Sequence, residues 1–377
     1  MKKVMILLLL LLPLLSGCWD QLPLRNLNLV DIAGMDINED NGDVEVDYVV
    51  TKLKSAGQGT GDPTSLTTKL KAPSLVEAIG QTQYTDQAPI LGISTGVYLL
   101  SEKFASRDPI SEFEFLLHAP YASISTPLVI FEGDMATFLE KEPVKNPKFT
   151  KDFSEFIKAL NNNILPNVSM MQFIQSKEDQ LTDTALPVIK QSKSGVELAG
   201  ALLFHKGTSS EIKLSKEQVL ILRLLQGKAE GRQRFTGHLA EGNKDQASNG
   251  QLQQEDYGFS VRKGNSKIVV SSKKNNIQNV KIVVHLNINV FKLNKDFHDL
   301  KSDYVNRMEK ELNHQLEKMA TSTIETLQNA NCDILEIGIQ IKAYHPKIWK
   351  SLNWDKDFQK IAIEPDFDVQ ILNTDAE

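Results

Sequence analysis

The sequence predicts an α+β, multi-domain protein, built from antiparallel or mixed sheets with helices packed on one face and a long helix in the carboxy-terminal domain. Three stretches carry that expectation. Val280, Ile282, Val284, Leu286, Ile288 and Val290 alternate with Lys281, His285, Asn287 and Asn289, the period of a strand with one face in a core and the other wet. Leu300, Tyr304, Met308, Leu312, Leu316, Met319, Ile324 and Leu327 then fall mostly on one helical stripe, with Lys301, Asp303, Lys310, Glu311, Glu317 and Lys318 on the opposite face. Finally Ile363, Pro365, Phe367, Val369 and Ile371 alternate against Glu364, Asp366, Asp368 and Gln370, and a proline near a strand's start suits a sheet edge. Strands, a helix long enough to cross a whole sheet, and a returning strand predict an antiparallel sheet with helices on one face.

Composition sets the outer bounds. At 377 residues, 41% hydrophobic and 24% charged, the chain has an ordinary globular composition with material for two domains or three. The net charge of −6 argues against a nucleic-acid binder, which needs a basic face. Two cysteines, Cys18 and Cys332, exclude a disulfide framework and a multi-cysteine zinc site. Beyond the amino terminus no apolar run reaches the roughly 18 residues a bilayer span requires.

Residues 1–17 combine Lys2 and Lys3, an apolar stretch from Val4 to Leu12, Pro13, and Leu14-Leu15-Ser16-Gly17 before Cys18. This is the positive and short apolar region of a secretion signal. Leu15-Ser16-Gly17-Cys18 also resembles a bacterial lipobox, in which the cysteine thiol takes a diacylglyceryl group and cleavage leaves Cys18 first. Two acyl chains, at ~0.8 kcal/mol per buried methylene, anchor a protein stably where one is marginal. The expected organisation is therefore a signal peptide at 1–17, an α+β region at 18–194, which has room for two subdomains, and an α+β domain at 195–377.

Along the chain, Leu27 to Met35 and Val44 to Val50 read as a hairpin turning through Asn38 to Gly42. Ser55 to Pro63 is a glycine-rich loop without the Lys-Ser/Thr of a phosphate-binding loop. Ser74 with Glu77 forms a capping box, and Val97 to Leu100 reads as a short buried strand. Pro109 suits a helix start, Pro127 to Phe131 a strand, and Met135 to Glu140 and residues 151–165 helices. Val196 to His205 holds the compactly apolar Leu198 to Phe204 near the expected domain boundary, and Ser215 with Gln218 caps a helix that Gly227 ends. From Lys228 to Asp256 the composition turns polar, as in a long loop or irregular hairpin. Ile334 to Ile341 fits either a strand or a short helix.

No catalytic constellation emerges. The seven histidines lack paired metal-ligand spacing, no Gly-x-Ser-x-Gly elbow occurs, and Cys332 lacks a cysteine-protease signature and suits a small buried hydrophobe. No catalytic, cofactor-binding or metal-binding residue is assigned.

Cys18-Trp19-Asp20 followed by Leu27 to Asp36 resembles the mature start of the Ger(x)C family, the lipoprotein C subunits of nutrient germinant receptors in endospore formers. The resemblance continues through Arg107-Asp108-Pro109, Glu132-Gly133-Asp134-Met135-Ala136 and Leu198 to Phe204. It ends with Asn331-Cys332-Asp333, Tyr344-His345-Pro346-Lys347-Ile348-Trp349 and Trp354, set before the final strand. It implies an α+β, multi-domain subunit without enzymatic activity or cofactor, on the outer face of the spore's inner membrane. Its partners would be an A subunit and a polytopic B subunit, with Cys18 carrying diacylglyceryl and N-acyl groups. Direct contact with a nutrient stays open. The other reading is an extracytoplasmic solute-binding lipoprotein of a transporter, whose fold would show strand-helix alternation and a cleft between two lobes. Trp19 suits either the lipid headgroup level or packing on the first domain. Trp349, Trp354, Tyr344 and Pro346 are expected to pack at a corner before the last strand. The polar face of 280–290 and the 228–256 stretch are the candidate partner surfaces.

Overall fold

The computed structural model describes residues 28–52, 64–81, 90–119, 122–165, 168–179, 181–229, 233–239, 255–273, 276–292 and 302–373. The signal region with Cys18 and Trp19, the glycine-rich loop, Leu300 and residues 240–254 lie outside them.

Among the described residues, nine strands form one mixed sheet. The hairpin β1 (Asn28–Ile37) and β2 (Val44–Lys52) forms as expected, and β3 (Thr64–Ala72) extends it antiparallel. On the other side of β1 come β5 (Val97–Ser101), β6 (Leu128–Glu132) and β7 (Thr184–Ser192), each parallel to its neighbour. The short β4 (Ile90–Leu91) also pairs with β1. Antiparallel β8 (Gly195–His205) and β9 (Thr208–Ser215) complete the sheet. Residues 193 and 194 form the tight turn between β7 and β8, and Ser192 pairs with Gly195 across it, so the sheet runs on across that point.

The parallel strands are apolar on both faces, which dictates cover on both. One face buries the helices α1 (Leu75–Gly80), α2 (Glu102–Ser106) and α3 (Pro109–Phe113) around Phe104 and Phe113. The other buries α4 (Met135–Lys145) and α5 (Phe149–Asn163) around Phe131, Phe138 and Phe153. α6 (Met170–Gln175) returns to the first face through Phe173, which meets Phe204 edge-on with ring centroids 5.0 Å apart.

The second sheet has the order β10 (Arg234–Leu239), β11 (Glu255–Lys273), β12 (Asn276–Lys292) and β13 (Ile363–Asn373). The six alternating residues of β12 are all buried beneath α8 (Ser302–Asn329), whose Met308, Leu312, Leu316, Ile324 and Leu327 face them. At ~1.5 Å per residue this helix of 28 residues spans about 42 Å. The expected all-antiparallel sheet needs one correction: β13 lies at an edge but pairs parallel to β12. A helix as long as α8 carries the chain back across the sheet, so the next strand starts from the same end as β12.

α8 also closes the free edge of β13. Glu317, Asn313 and Glu309, spaced four apart, accept from the main-chain N–H groups of Phe367, Val369 and Ile371, spaced two apart, at 3.3, 2.9 and 2.8 Å. Four helical residues rise about 6 Å and two strand residues about 6.8 Å, so the two rows stay in step over three contacts. Between the sheets lies α7 (Lys216–Leu225), capped by Ser215 and Gln218 as expected. Val219, Ile221, Leu222, Leu224 and Leu225 point almost all round it and all are buried, as a helix sandwiched between layers requires. One apolar core thus joins Ala201 and Leu203 of the large sheet to Leu286 and Leu327 of the second unit.

Replacing Asn313 with alanine is expected to cost about 1 kcal/mol by orphaning the Val369 N–H. Hydrogen exchange should accelerate at Val369 before it does in β12. Unchanged protection there would show that the helix side chains do not hold the edge.

Candidate functional site

The segments of the Ger(x)C resemblance fall at helix starts and at the joint between the two sheets. Arg107 donates from Nη1 to the Gly42 carbonyl at 2.6 Å, tying the β1–β2 turn to the helices above it. Asp108, in the left-handed region with φ 74°, caps α3, with Ser111 donating N–H and O–H to its carboxylate at 3.3 and 2.6 Å. Pro109 takes the first position of that helix. Asp134 caps α4 by accepting from Thr137 N at 2.9 Å, and the side-chain and backbone hydrogen bonds of Thr137 hold its carboxyl below the usual range. In β8, a methyl at Gly200 would lie 2.0 Å from the Leu214 carbonyl oxygen, so only glycine allows β9 to approach.

The joint is built on two carboxylates. Asp333 follows α8 and the buried Cys332. One of its oxygens accepts from Ile337 N at 3.0 Å, and the other from Gly338 N at 2.7 Å and Trp354 Nε1 at 3.1 Å. It therefore fixes the start of α9 (Ile337–Tyr344) and holds α11 (Trp354–Asp357) against it, with α10 (Pro346–Trp349) between them. A methyl at Gly338 would lie 2.6 Å from the indole nitrogen, so the glycine makes room for Trp354.

Asp183, just before β7 of the large sheet, accepts from Asp333 N at 2.6 Å and from Lys206 N at 3.1 Å, and His205 Nδ1 lies 3.0 Å from it. Facing a carboxylate, that ring nitrogen carries the proton. Lys206 Nζ reaches both oxygens of Asp355 at 2.7 Å, and Asn331 donates to the Asp355 carbonyl at 3.0 Å. Cys332 Sγ lies 3.8 and 3.6 Å from the carbonyls of Thr184 and Phe204. Residues 128 to 150 positions apart are locked together here.

Burial pushes Asp333 up to about 7 against the pull of the Gly338, Ile337 and Trp354 donors, and the nearby charge of Asp183 pushes the same way. Burial also drives the Cys332 thiol well above its usual range, which favours the neutral thiol over the thiolate. The space enclosed by Asp183, His205, Asn331, Asp333, Trp354 and Phe358 leaves no room for a water molecule. This is a packed joint and not a substrate cavity. No three His, Cys, Asp or Glu side chains among the described residues are arranged to hold a metal ion.

Sequence reasoning placed some of these residues correctly and others not. Trp354 is buried, packed against Trp349 and Phe358 with centroids 5.7 and 5.6 Å apart. Tyr344 departs from its expected packing and is 75% exposed, because it ends α9 on the face turned away from the joint. Ile334 to Ile341 resolves into a turn and the first half of α9. On the polar face of β12, Lys281 pairs with Asp366 and His285 with Asp368, both at 2.9 Å, and all four side chains remain accessible to solvent. Asp183 and His205 had no signal in the sequence as partners of Asp333.

Two sheets sharing one core through a buried helix and a carboxylate-bridged joint define a two-sheet α+β protein. The family model described as "Spore germination protein N-terminal domain" matches residues 20–191, and the one described as "Spore germination B3/ GerAC like, C-terminal" matches residues 199–375. The chain belongs to the Ger(x)C family of spore germination proteins. It is similar to the spore germination protein GerQC of Bacillus cereus, with 20% identity over 99% of both chains. Its fold is similar to the crystal structure of the GerBC protein, at 15% identity and a TM-score of 0.57, covering 90% of this chain and 97% of that one. The two model matches part at the β7–β8 turn.

Replacing Asp333 with asparagine is expected to cost about 1–3 kcal/mol, because one amide oxygen must serve three donors. The pH dependence has a definite sign. Asp333 holds its proton in the folded state up to about 7 but in the unfolded chain only to its ordinary 3.8. Its contribution is therefore fully present below that lower value and lost as pH rises through 7. Denaturant titrations at about pH 5 and about pH 8 should show the variant losing less stability on this rise than the parent. Equal losses in both would assign the pH dependence elsewhere.

Proposed function

We propose that the protein is the membrane-anchored lipoprotein subunit of a spore nutrient germinant receptor. In this reading it is held by lipid at Cys18 on the outer face of the spore's inner membrane, and it works by assembly with an A and a polytopic B subunit. The observation that carries the reading is the family correspondence through both halves of the chain. The lipobox supports the anchor, and no helix among the described residues is long and apolar enough to cross a membrane. The family segments at Arg107, Asp108, Asp134 and Asp333 serve a turn tie, caps and the joint, which suits a rigid platform for partners. Two acyl chains would keep that platform beside its partners at high effective concentration. The proposed division is 18–194 and 195–377, with β8 and β9 of the second part completing the sheet of the first.

Spores lacking the protein should fail to release dipicolinic acid in response to a subset of nutrients, and Cys18→Ala should impair the same response. Circular dichroism of the variant should match the parent. Normal germination of the deletion on every nutrient, with paralogues removed, would discard the receptor reading and bring forward a solute-binding lipoprotein. Thiol chemistry checks the anchor independently. Protein extracted from spore membranes should yield no reactive thiol when native and one, that of Cys332, after denaturation. A second thiol would show that Cys18 is free.

A further inference from the structure

β11 is longer than the strand beside it. β10 pairs only with Glu255 to Ser260, so the stretch from Val261 to Lys273 has β12 on one side and no strand on the other among the described residues. A methyl on Gly227 would lie 2.7 Å from Ser266 N, so that nitrogen faces the open side. Strand alternation turns the main-chain groups of Ile268 and Val270 the same way. Beyond the short approach of Gly227 and Ala229, this backbone borders an open groove of about 590 Å³ whose far wall is the Gln340 and Tyr344 face of α9.

Two features say what fits there. Ile268 and Val270 turn toward the core side of the sheet beside Leu335 and the exposed Tyr344, an apolar strip at the spacing of alternate strand residues. Lys263 and Lys267 lie on the opposite face, both exposed, and no carboxylate among the described residues pairs with them. The acids of β13 cannot serve, since Lys281 and His285 of β12 intercept Asp366 and Asp368.

We infer that the open edge of β11 at Lys267 to Ser271 is a strand-addition site for an extended segment of a partner protein that alternates acidic and apolar residues. The main chain would continue the sheet, the apolar side chains would enter the groove against Val270 and Tyr344, and the acidic ones would face Lys263 and Lys267. A second copy is the weaker occupant, because edge-to-edge pairing would bring the two lysine rows together. The inference rests on the assembly reading above and adds to it the surface and the partner's chemistry.

Full-length protein in spores, with the photo-crosslinker p-benzoylphenylalanine in place of Val269, tests it. Val269 is 39% exposed on the lysine face, and the same group in place of Val144, 81% exposed on α4, is the control. The expected result is a product from position 269 alone, with mass spectrometry placing the link in a partner segment of alternating acidic and apolar residues. That product should be lost in Lys263→Glu/Lys267→Glu and kept in Lys263→Arg/Lys267→Arg. Ile268→Pro, which deletes one edge donor, should also lose it, and the surface double variant keeps the test independent of that proline's effect on folding. No product, a second copy, a segment without acidic residues, or yields indifferent to charge reversal would overturn the site. The deletion phenotype is scored in parallel. A germination defect without a crosslink sinks the edge alone, and a deletion without a defect sinks the assembly reading.

Discussion

The architecture depends on tying the end of α8 back to the large sheet. Asp183 does this with one short hydrogen bond to the Asp333 main chain, and Asp333 then organises the start of α9 and the position of Trp354. Both carboxylates are desolvated, which costs energy unless each is surrounded by donors. Here Asp183 takes two backbone N–H groups and an imidazole, and Asp333 takes two backbone N–H groups and an indole. Removing either would leave several buried donors without an acceptor, so the joint is specific to one arrangement of the two sheets. The apolar core around α7 supplies attraction between the layers, but area alone is indifferent to small slides. The directional bonds at the joint select the register.

Much of this was legible in the sequence. The β12 alternation, the α8 stripe and the caps at Ser74 and Ser215 depend on neighbours within a few residues, and local pattern records them faithfully. Asp183 and Asp333 are far apart in the chain, and nothing local marks Asp183 as anything but a turn residue. β11 was hidden for a different reason. From Arg262 to Lys273 it is dominated by Lys, Asn, Ser and Gly, since one face is wet and one edge is open, and so it carries little of the hydrophobic period that identifies a strand. The parallel pairing of β13 was equally invisible, because alternation fixes which face a residue takes and not the direction of its neighbour. Tyr344 was misplaced because an aromatic beside a proline and two tryptophans reads as core, whereas its position at the end of α9 turns it outward.

The two units treat exposed backbone in opposite ways. At β13, three side chains from α8 satisfy the outward N–H groups one by one, which blocks further pairing on that side. At β11 no such helix covers the edge among the described residues, and lysines stand on its outer face instead. Lysines discourage pairing with a like-charged or apolar strand, yet they favour an acidic one. If stability alone had shaped this sheet, both edges would gain from the same cover, and the chain already builds one such cover within the same unit. An edge without a neighbouring strand beside an apolar groove, with lysines that no carboxylate pairs among the described residues, is the arrangement expected where the missing neighbour is supplied by another molecule.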